Sequence, residues 1–246
     1  MKISLYLTPM PSTRVSLEGK TVVVIDVLRF CTSACAALMA GARGVIPTIG
    51  PGEAGEMWGK LGSDMAVLAG ERDCVKIENF KLGNSPTEFT SDSVGDKFVV
   101  MTTSNGTGVF NRCNNAGLVI CCALVNISRV ADAVAERDRD LIIVCSGHDG
   151  GFSIEDTLCG GILIDRLINQ RHLPATLNDA GSLALLLYRT SRTAIKQTIQ
   201  QGEHGRHLIE LGFDLDCEIA ASIDAMPVLP ILKEGQLVTT KESDDD

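Results

Sequence analysis

Charged side chains that could bind a phosphate ester together with a divalent cation recur at intervals along this sequence. Four carboxylates are hard oxygen ligands of the kind that Mg²⁺ prefers: Asp26, Glu71, Glu155 and Asp156. Arg29 and Arg72 add planar guanidinium groups that match phosphate or sulfonate oxygens. The combination favours phosphoryl transfer, in which positioning and charge neutralisation contribute most of the catalysis.

Each polar segment also has a purely structural interpretation. Asp26 could cap a helix with Arg29 as its partner, although a strand buried on both faces tolerates an unpaired carboxylate poorly. The turn 103–107 could be N-cap chemistry, but amides and hydroxyls at a helix N-terminus also suit an oxyanion. Glu71-Arg72 could be a solvated loop pair, and the glycine-rich loop 147–151 could be a simple turn. The convergence of all four segments at the carboxyl ends of strands favours a binding site.

Several familiar catalytic motifs are absent from the sequence. It has no G-x-x-x-x-G-K-[ST], no G-x-G-x-x-G and no G-x-S-x-G, so nothing indicates a Walker-type nucleotidase, a dinucleotide site or an α/β-hydrolase. Gly151 stands six positions after Cys145, where a cysteine phosphatase would need an arginine, so we interpret Cys145 as a buried strand-end residue. His204 and His207 share a helical face and are interpreted as surface residues.

The composition excludes several classes of protein. The 246 residues include 22 Lys and Arg against 31 Asp and Glu, giving a formal net charge of -9. An acidic surface argues against nucleic-acid and anionic-membrane partners but permits a small anionic substrate. No signal peptide and no apolar run of membrane-spanning length are evident. Nine cysteines without a C-x-x-C pair indicate a reducing cytoplasm, and a mean hydropathy of +0.17 permits a homodimer face.

Strand and helix patterns alternate over the first 150 residues. The β-branched run 21–27 predicts a strand that is buried on both faces. Further strands are predicted at 44–47, 64–69, 97–102, 118–123 and 141–145, and helices at 31–40, 53–61, 107–113 and 128–137. This alternation predicts an α/β fold with a mainly parallel sheet flanked by helices.

The pattern after residue 151 is mostly helical. Helices are predicted at 154–168, 178–188, 202–211 and 214–223, with one short strand at 228–232. Segment 70–86 has little periodicity and is expected to be a functional loop. We predict a single unit over residues 1–246. In a second version of this prediction, the unit is divided into two α/β lobes, 1–150 and 151–240, that flank a cleft. Residues 241–246 are expected to form an acidic tail.

Five motifs, in this order, resemble the 2-phosphosulfolactate phosphatase family. They are Val22–Arg29, Leu68–Arg72, Leu82–Pro86, Thr102–Thr107 and Phe152–Gly161. The resemblance implies a Mg²⁺-dependent acid phosphatase that converts 2-phospho-3-sulfolactate and water to 3-sulfolactate and phosphate, a step in coenzyme M biosynthesis. The chain departs from the family pattern at Phe30-Cys31 and at Gly151, which bears on the substrate more than on the reaction.

We therefore predict a phosphomonoesterase acting on a small anionic substrate. Asp26, Glu71 and Asp156 are expected to be catalytic and, with Glu155, to bind Mg²⁺. Substrate oxygens are expected to contact a wider set: Arg29, Arg72, Asn84, Ser85, Thr103, Asn105, Gly106, Thr107, Ser146 and Ser153. Since no activated side-chain nucleophile is evident, a metal-bound water is the expected attacking group, with phosphorylation of Asp26 as the alternative.

Two other functions fit the same residues. A noncatalytic binding or regulatory domain for a phosphorylated or sulfonated metabolite would use the arginines and glycine loops without needing a carboxylate cluster. A phosphotransferase would pass the phosphoryl group to another acceptor. Metal-dependent turnover distinguishes the first of these from a hydrolase, and analysis of the products distinguishes the second.

Overall fold

A computed structural model describes residues 1–9, 15–137 and 139–239 of the chain. The strands are β1 (Lys2–Tyr6), β2 (Thr21–Ile25), β3 (Gly44–Thr48), β4 (Ala66–Arg72), β5 (Val75–Lys76), β6 (Phe98–Thr102), β7 (Leu118–Cys122), β8 (Leu141–Cys145), β9 (Thr176–Leu177), β10 (Pro230–Lys233) and β11 (Gln236–Thr239). The helices are α1 (Phe30–Met39), α2 (Pro51–Leu61), α3 (Ser91–Val94), α4 (Gly106–Arg112), α5 (Ile127–Ala135), α6 (Ile154–Asp165), α7 (Asp179–Ser191), α8 (Ile195–Gln201), α9 (Glu203–Glu210) and α10 (Asp214–Ala220). The predicted acidic tail, 241–246, lies outside the described residues.

The strands form one mixed sheet in the order β5-β4-β6-β3-β11-β10-β7-β2-β8-β1-β9. Two parallel groups, β4-β6-β3 and β7-β2-β8-β1-β9, make up most of it. The antiparallel hairpin β10–β11 lies between them. It pairs with β7 through Ile231 and Ile120, and with β3 through Leu237 and Val45. The predicted α/β class with a mainly parallel sheet is confirmed.

The sheet curls around α1. Residues 30–38 of that helix are all buried, although its sequence is rich in small side chains. The hydrophobic cluster around α1 includes Val67 from β4 and Val144 from β8, which belong to different parallel groups. The five residues of β2 are all buried, as their β-branched run predicts. Its residues from Val22 to Ile25 alternate between this cluster and a second one that involves α5 and α6. The curvature brings distant strand ends close together.

The predicted elements match the observed ones with small shifts at their ends. The helix predicted over 154–168 is α6 followed by a π-helical turn at Arg166–Gln170. The aperiodic segment 70–86 is not wholly a loop, since it contains the end of β4 and the short β5. The sequence patterns did not predict β1, β5, β9, β11, α3 or α8. The two-lobe division stays a prediction, although β9, β10 and β11 join the same sheet as the earlier strands.

Within the residues that the structure describes, no helix is both long and apolar enough to cross a membrane.

Candidate active site

The curled sheet brings polar segments that are distant in sequence to one open cavity, whose empty space is about 510 Å³ when the solvent at its mouth is included. It is lined by Asp26, Leu28, Arg29, Glu71, Asp73, Cys74, Asn84, Thr103, Ser104, Asn105, His148, Asp149, His204 and His207. The predicted convergence of strand-end segments is therefore observed for four strands: β2, β4, β6 and β8.

Asp26 follows β2 directly and is 4% exposed at the cavity. Its Oδ1 accepts a hydrogen bond from the Phe30 amide at 3.1 Å. Gly106 packs so closely that a methyl group there would overlap Oδ2 of Asp26. Burial, followed by the charge of Asp156, raises the pKa of Asp26 well above its usual range, because both disfavour the ionised carboxylate.

Glu71 lies at the end of β4 and holds two loops together. Its carboxylate accepts hydrogen bonds from the amide of Ser104 at 2.7 Å and the amide of Cys74 at 2.8 Å. The Ser104 hydroxyl donates a further hydrogen bond at 3.2 Å. Glu71 lines the cavity, but its oxygens already accept three hydrogen bonds, so the geometry gives it a positioning role in addition to any role as a ligand.

Asp156 and Glu155 open α6 but are not among the residues that line the cavity. Asp156 accepts hydrogen bonds from the amides of Val27 at 2.8 Å and Gly147 at 3.1 Å, and so joins the loops after β2 and β8. Burial, reinforced by the charge of Glu155, raises the pKa of Asp156 to about 8. Burial also raises the pKa of Glu155 to about 7. The structure does not bring these two predicted metal ligands into contact with the cavity.

Arg29 is held in place by contacts on several sides. One guanidinium nitrogen donates to Asp216 at 2.7 Å and another donates to the Cys74 carbonyl at 2.9 Å. The guanidinium carbon lies 4.3 Å from the centroid of the Phe213 ring. Asp216 also accepts a 2.6 Å hydrogen bond from the hydroxyl of Ser85. This network fixes Arg29 at the cavity and assigns Ser85 to its support.

In the turn between β6 and α4, many of the polar groups are already hydrogen-bonded to other groups of the protein. The amide of Thr103 donates to the Thr107 hydroxyl at 3.3 Å, and the amide of Thr107 donates to the Thr103 hydroxyl at 3.2 Å. The Ser104 amide is taken by Glu71. The amides of Thr103 and Ser104 are therefore not free to bind an oxyanion, although the turn 103–107 was expected to do so. Arg72 also bonds inward, to the Glu71 carbonyl at 2.7 Å and the Thr102 hydroxyl at 3.0 Å, and does not line the cavity.

A pair of stacked histidines forms another part of the cavity. The rings of His148 and His204 are stacked, with their centroids 4.2 Å apart and their planes 16° apart. The interpretation of His204 as a surface residue is wrong: it is only 7% exposed, because it shares the inner face of α9 with Leu208. Burial, with the nearby charge of Arg29, lowers the pKa of His204 to about 4. His207 is exposed but also lines the cavity.

Several buried polar atoms in this region have no hydrogen-bond partner among the described residues. They are Asn84 Oδ1, Ser146 Oγ, Ser153 Oγ, His148 Nδ1 and His204 Nδ1. Nδ1 of His204 lies 3.4 Å from Glu155 Oε1, but the two atoms are not aligned for a hydrogen bond. Since buried polar groups are normally paired, such atoms mark where water or a ligand would bind.

Thiol chemistry is not supported at this site. Burial raises the pKa of Cys74, which lines the cavity, to about 11, and raises the pKa of the Cys145 thiol well above its usual range. Both thiols are therefore protonated near neutral pH and are poor nucleophiles. The interpretation of Cys145 as a buried residue agrees with this environment.

The predicted site residues divide into two groups. Those that line the cavity are Asp26, Arg29, Glu71, Asn84, Thr103 and Asn105; those that do not are Arg72, Ser85, Gly106, Thr107, Ser146, Ser153, Glu155 and Asp156. The sequence predicted no site role for Asp73, Cys74, Asp149, His204 or His207, nor for Asp216. The spacing of His204 and Leu208 on one helical face was the available signal for a buried histidine.

The cavity has more carboxylates than cations. Among the described residues, Arg29 is the one guanidinium group that lines it, whereas four carboxylates do: Asp26, Glu71, Asp73 and Asp149. Among the described residues, no group of three or more His, Cys, Asp or Glu side chains forms a preformed metal cage. The donor set instead fits an ion that takes one or two carboxylates and completes its shell with water and substrate oxygens, as Mg²⁺ does.

Comparison with known proteins gives a consistent result. The model of the 2-phosphosulpholactate phosphatase family matches residues 6–235. A protein of Caldanaerobacter subterraneus subsp. tengcongensis is 34% identical, over 92% of this chain and 93% of its own. A protein of Symbiobacterium thermophilum is 34% identical, over 90% of this chain and 95% of its own. A protein of Clostridium novyi is 35% identical, over 94% of this chain and 96% of its own. All three are named probable 2-phosphosulfolactate phosphatase.

Proposed function

We propose a substrate, a metal and a reaction course from one premise: the chain belongs to the 2-phosphosulpholactate phosphatase family and is a phosphatase. The proposed substrate is 2-phospho-3-sulfolactate, which water converts to 3-sulfolactate and phosphate. The proposed pathway is coenzyme M biosynthesis. The names of the related proteins support the substrate, and the anion-binding groups of the cavity are compatible with it.

The observation that carries the proposal is the position of Asp26 beside Arg29 in one cavity. Asp26 is a buried carboxylate with a raised pKa, so its ionised form is a stronger base than an exposed aspartate. Arg29 keeps its charge, and the contacts with Asp216 and Cys74 hold its guanidinium in one orientation. A base and a fixed cation in contact with the same small space suit the hydrolysis of a phosphate ester.

Mg²⁺ is the proposed cofactor. The residues that would hold it are Asp26 and Glu71, with the unpartnered Oδ1 of Asn84 as a third oxygen at the cavity. When bound, the ion would offset the negative charge of the phosphate group, which the surrounding carboxylates would otherwise repel. Glu155 and Asp156, which the sequence also suggested as ligands, contact backbone amides and other side chains behind the cavity and are not part of this proposal.

The chain's own residues contribute three actions to the proposed reaction. Arg29 binds and orients the anionic substrate. Asp26 orients the attacking water and accepts its proton as the new P–O bond forms. The ester P–O bond breaks, and the alkoxide oxygen of 3-sulfolactate takes up a proton. Direct attack by Asp26 on phosphorus, followed by hydrolysis of the aspartyl phosphate, is the alternative course.

Phosphate release tests the proposal. The substrates are 2-phospho-3-sulfolactate and a panel of phosphorylated 2-hydroxy acids, each assayed with Mg²⁺ and with excess EDTA. We expect metal-dependent release that is fastest with the sulfonate. Preference for a carboxylate analogue would retain the reaction and reject the substrate, and unchanged release in EDTA would reject the metal. Analysis of the products distinguishes hydrolysis from transfer to another acceptor.

The proposed location is the cytoplasm, and the proposed assembly is a homodimer. The nine cysteines all lie in the described ranges as free, buried thiols, which is compatible with a reducing compartment. Exposed leucines on α7, at positions 183 and 186, are compatible with an apolar contact between subunits. Light scattering of the purified chain measures the assembly directly.

A further inference from the structure

Four basic side chains meet at one part of the cavity. Arg29 comes from the loop after β2, His148 from the loop after β8, and His204 and His207 from α9. We refer to the three histidines as the histidine wall. The nearby charges of Arg29 and His207 lower the pKa of His204, and those of Glu71 and Asp149 raise it, whereas the charges that raise the pKa of Asp26 are those of carboxylates. The wall therefore has cationic as well as anionic neighbours.

The wall has hydrogen-bonding capacity that the protein does not use. His204 is 93% buried, yet its Nδ1 has no hydrogen-bond partner in the described part of the chain, and the same is true of Nδ1 of His148. The stacking of the two rings holds both in fixed orientations. Nε2 of His204 faces only the weakly polar sulfur of Cys74, at 3.6 Å. With its proton on Nδ1, each of these two rings would have an N–H donor that no group among the described residues accepts.

Arg29 alone leaves this part of the cavity with little net attraction for an anion. Its charge is offset by Asp216, which is equally buried and bonded to it at 2.7 Å. An anionic group near Arg29 would therefore need further donors to replace the water it loses on binding. The imidazoles of the wall line the same cavity and can supply such donors. Carboxylates stand beside two of these rings: Glu155 Oε1 lies 3.4 Å from Nδ1 of His204, and Asp149 Oδ2 lies 3.6 Å from Nε2 of His148. Among the described residues, the exposed His207 has no such carboxylate contact.

We propose that the histidine wall, together with Arg29, binds the second anionic group of the substrate, a sulfonate or a carboxylate, while the phosphate group lies toward Asp26. The inference rests on the proposed function, since it assumes a phosphorylated substrate with a further anion. It assigns substrate discrimination to residues of α9 and of the loop after β8. The strand-end arginine Arg72, which the sequence suggested for this purpose, does not line the cavity.

Binding measurements test the wall without requiring turnover. Isothermal titration calorimetry with Mg²⁺ present compares 3-sulfolactate and inorganic phosphate as ligands of the wild-type chain and of His207→Asn. We expect about tenfold weaker binding of 3-sulfolactate by the variant, the loss of one good hydrogen bond to a charged group, and phosphate binding within about twofold of wild type. His207 is exposed, so the substitution leaves the core intact.

Two further variants complete the design. His204→Asn removes the buried member of the wall and is expected to weaken 3-sulfolactate binding more than His207→Asn does. His172→Asn is the matched control, since His172 is exposed, does not line the cavity and has a positive φ that asparagine tolerates. Lactate carries only a carboxylate, and 2-hydroxyethanesulfonate carries only a sulfonate. The compound that binds more weakly to the histidine variants than to the wild type identifies the group that the wall binds.

The outcomes separate this inference from the proposed function. Unchanged 3-sulfolactate binding in both cavity variants, or an equal loss of phosphate binding, would overturn the histidine wall as a subsite. Failure of the wild-type chain to bind 3-sulfolactate would overturn it as well. A wild-type chain that binds 3-sulfolactate through the wall but releases no phosphate from 2-phospho-3-sulfolactate would retain the subsite and reject the proposed reaction.

Discussion

The residues that line the cavity and those immediately behind it carry the same kinds of charged side chain. Several of them differ in how far protein groups already occupy their hydrogen-bonding positions. At the cavity, Asp26 has one backbone hydrogen bond, and Nδ1 of His204 has no partner within the described ranges. Behind it, Asp156 accepts from two amides, and Asp216 pairs with Arg29 and Ser85. Asp26 and His204 thus keep capacity for a ligand, whereas Asp156 and Asp216 use theirs to join loops. Glu71, which lines the cavity and also joins two loops, lies between these extremes. Residue type alone does not distinguish a catalytic carboxylate from a supporting one.

The sharpest test of this comparison is Asp26→Asn. We expect phosphate release to fall about a thousandfold, because the variant loses its base and its negative charge. The free energy of unfolding should stay the same or rise, because the neutral amide no longer has to be buried as a charge. Steady-state kinetics and denaturant unfolding measure the two effects. A folded variant with nearly normal turnover would remove Asp26 from the mechanism.

Asp216→Ala tests the layer behind the cavity. It leaves Arg29 buried without its partner, so we expect a loss of about 3 kcal/mol in the free energy of unfolding. Urea denaturation measures that loss, with exposed Asp92→Ala as a control that should change little. If Asp216→Ala were as stable as the wild type, the Arg29 pair would not support the fold, and the contrast between the two layers would fail.

Gly106→Ala acts at the boundary between the two layers. The added methyl group would overlap both Oδ2 of Asp26 and the β-carbon of Phe30, so one of them must move. A displacement of about 1 Å at a catalytic group costs roughly a hundredfold in rate. We expect kcat to fall by that order, with far-ultraviolet circular dichroism unchanged. Gly108→Ala, where the space is open apart from the end of Arg112, is the matched control and should retain full activity.

The smallest expected effect is a pH dependence of stability. The folded-state pKa of Asp156 is raised from 3.8 to about 8, so the folded chain holds this proton where the unfolded chain has released it. The free energy of unfolding that this proton adds is full below pH 4 and is lost as the pH rises toward about 8. Asp156→Asn should flatten this part of the profile in urea unfolding at several pH values. An unchanged slope would show that Asp156 ionises normally.

Much of the fold follows from local sequence patterns, because strands such as β2 and β8 are apolar runs bounded by polar turns. The hairpin β10–β11 was not predicted to lie within the sheet, since its place between β3 and β7 depends on contacts with residues far away in sequence. The same limit applies to the site. Asp26 and Arg29 stand next to a strand that marks them, whereas the packing of the C-terminal helices brings His204 to the cavity and Asp216 to Arg29 behind it.

That hairpin also bears on how the chain folds. Its residues come far later in the sequence than β3 and β7, yet they join the two parallel groups of the sheet. Until the hairpin docks, β3 and β7 each present an open edge of unpaired backbone groups, the kind of edge that pairs readily with other chains. A folding intermediate that lacks the hairpin is therefore the form most exposed to aggregation, and a chaperone that covers strand edges would act on that form.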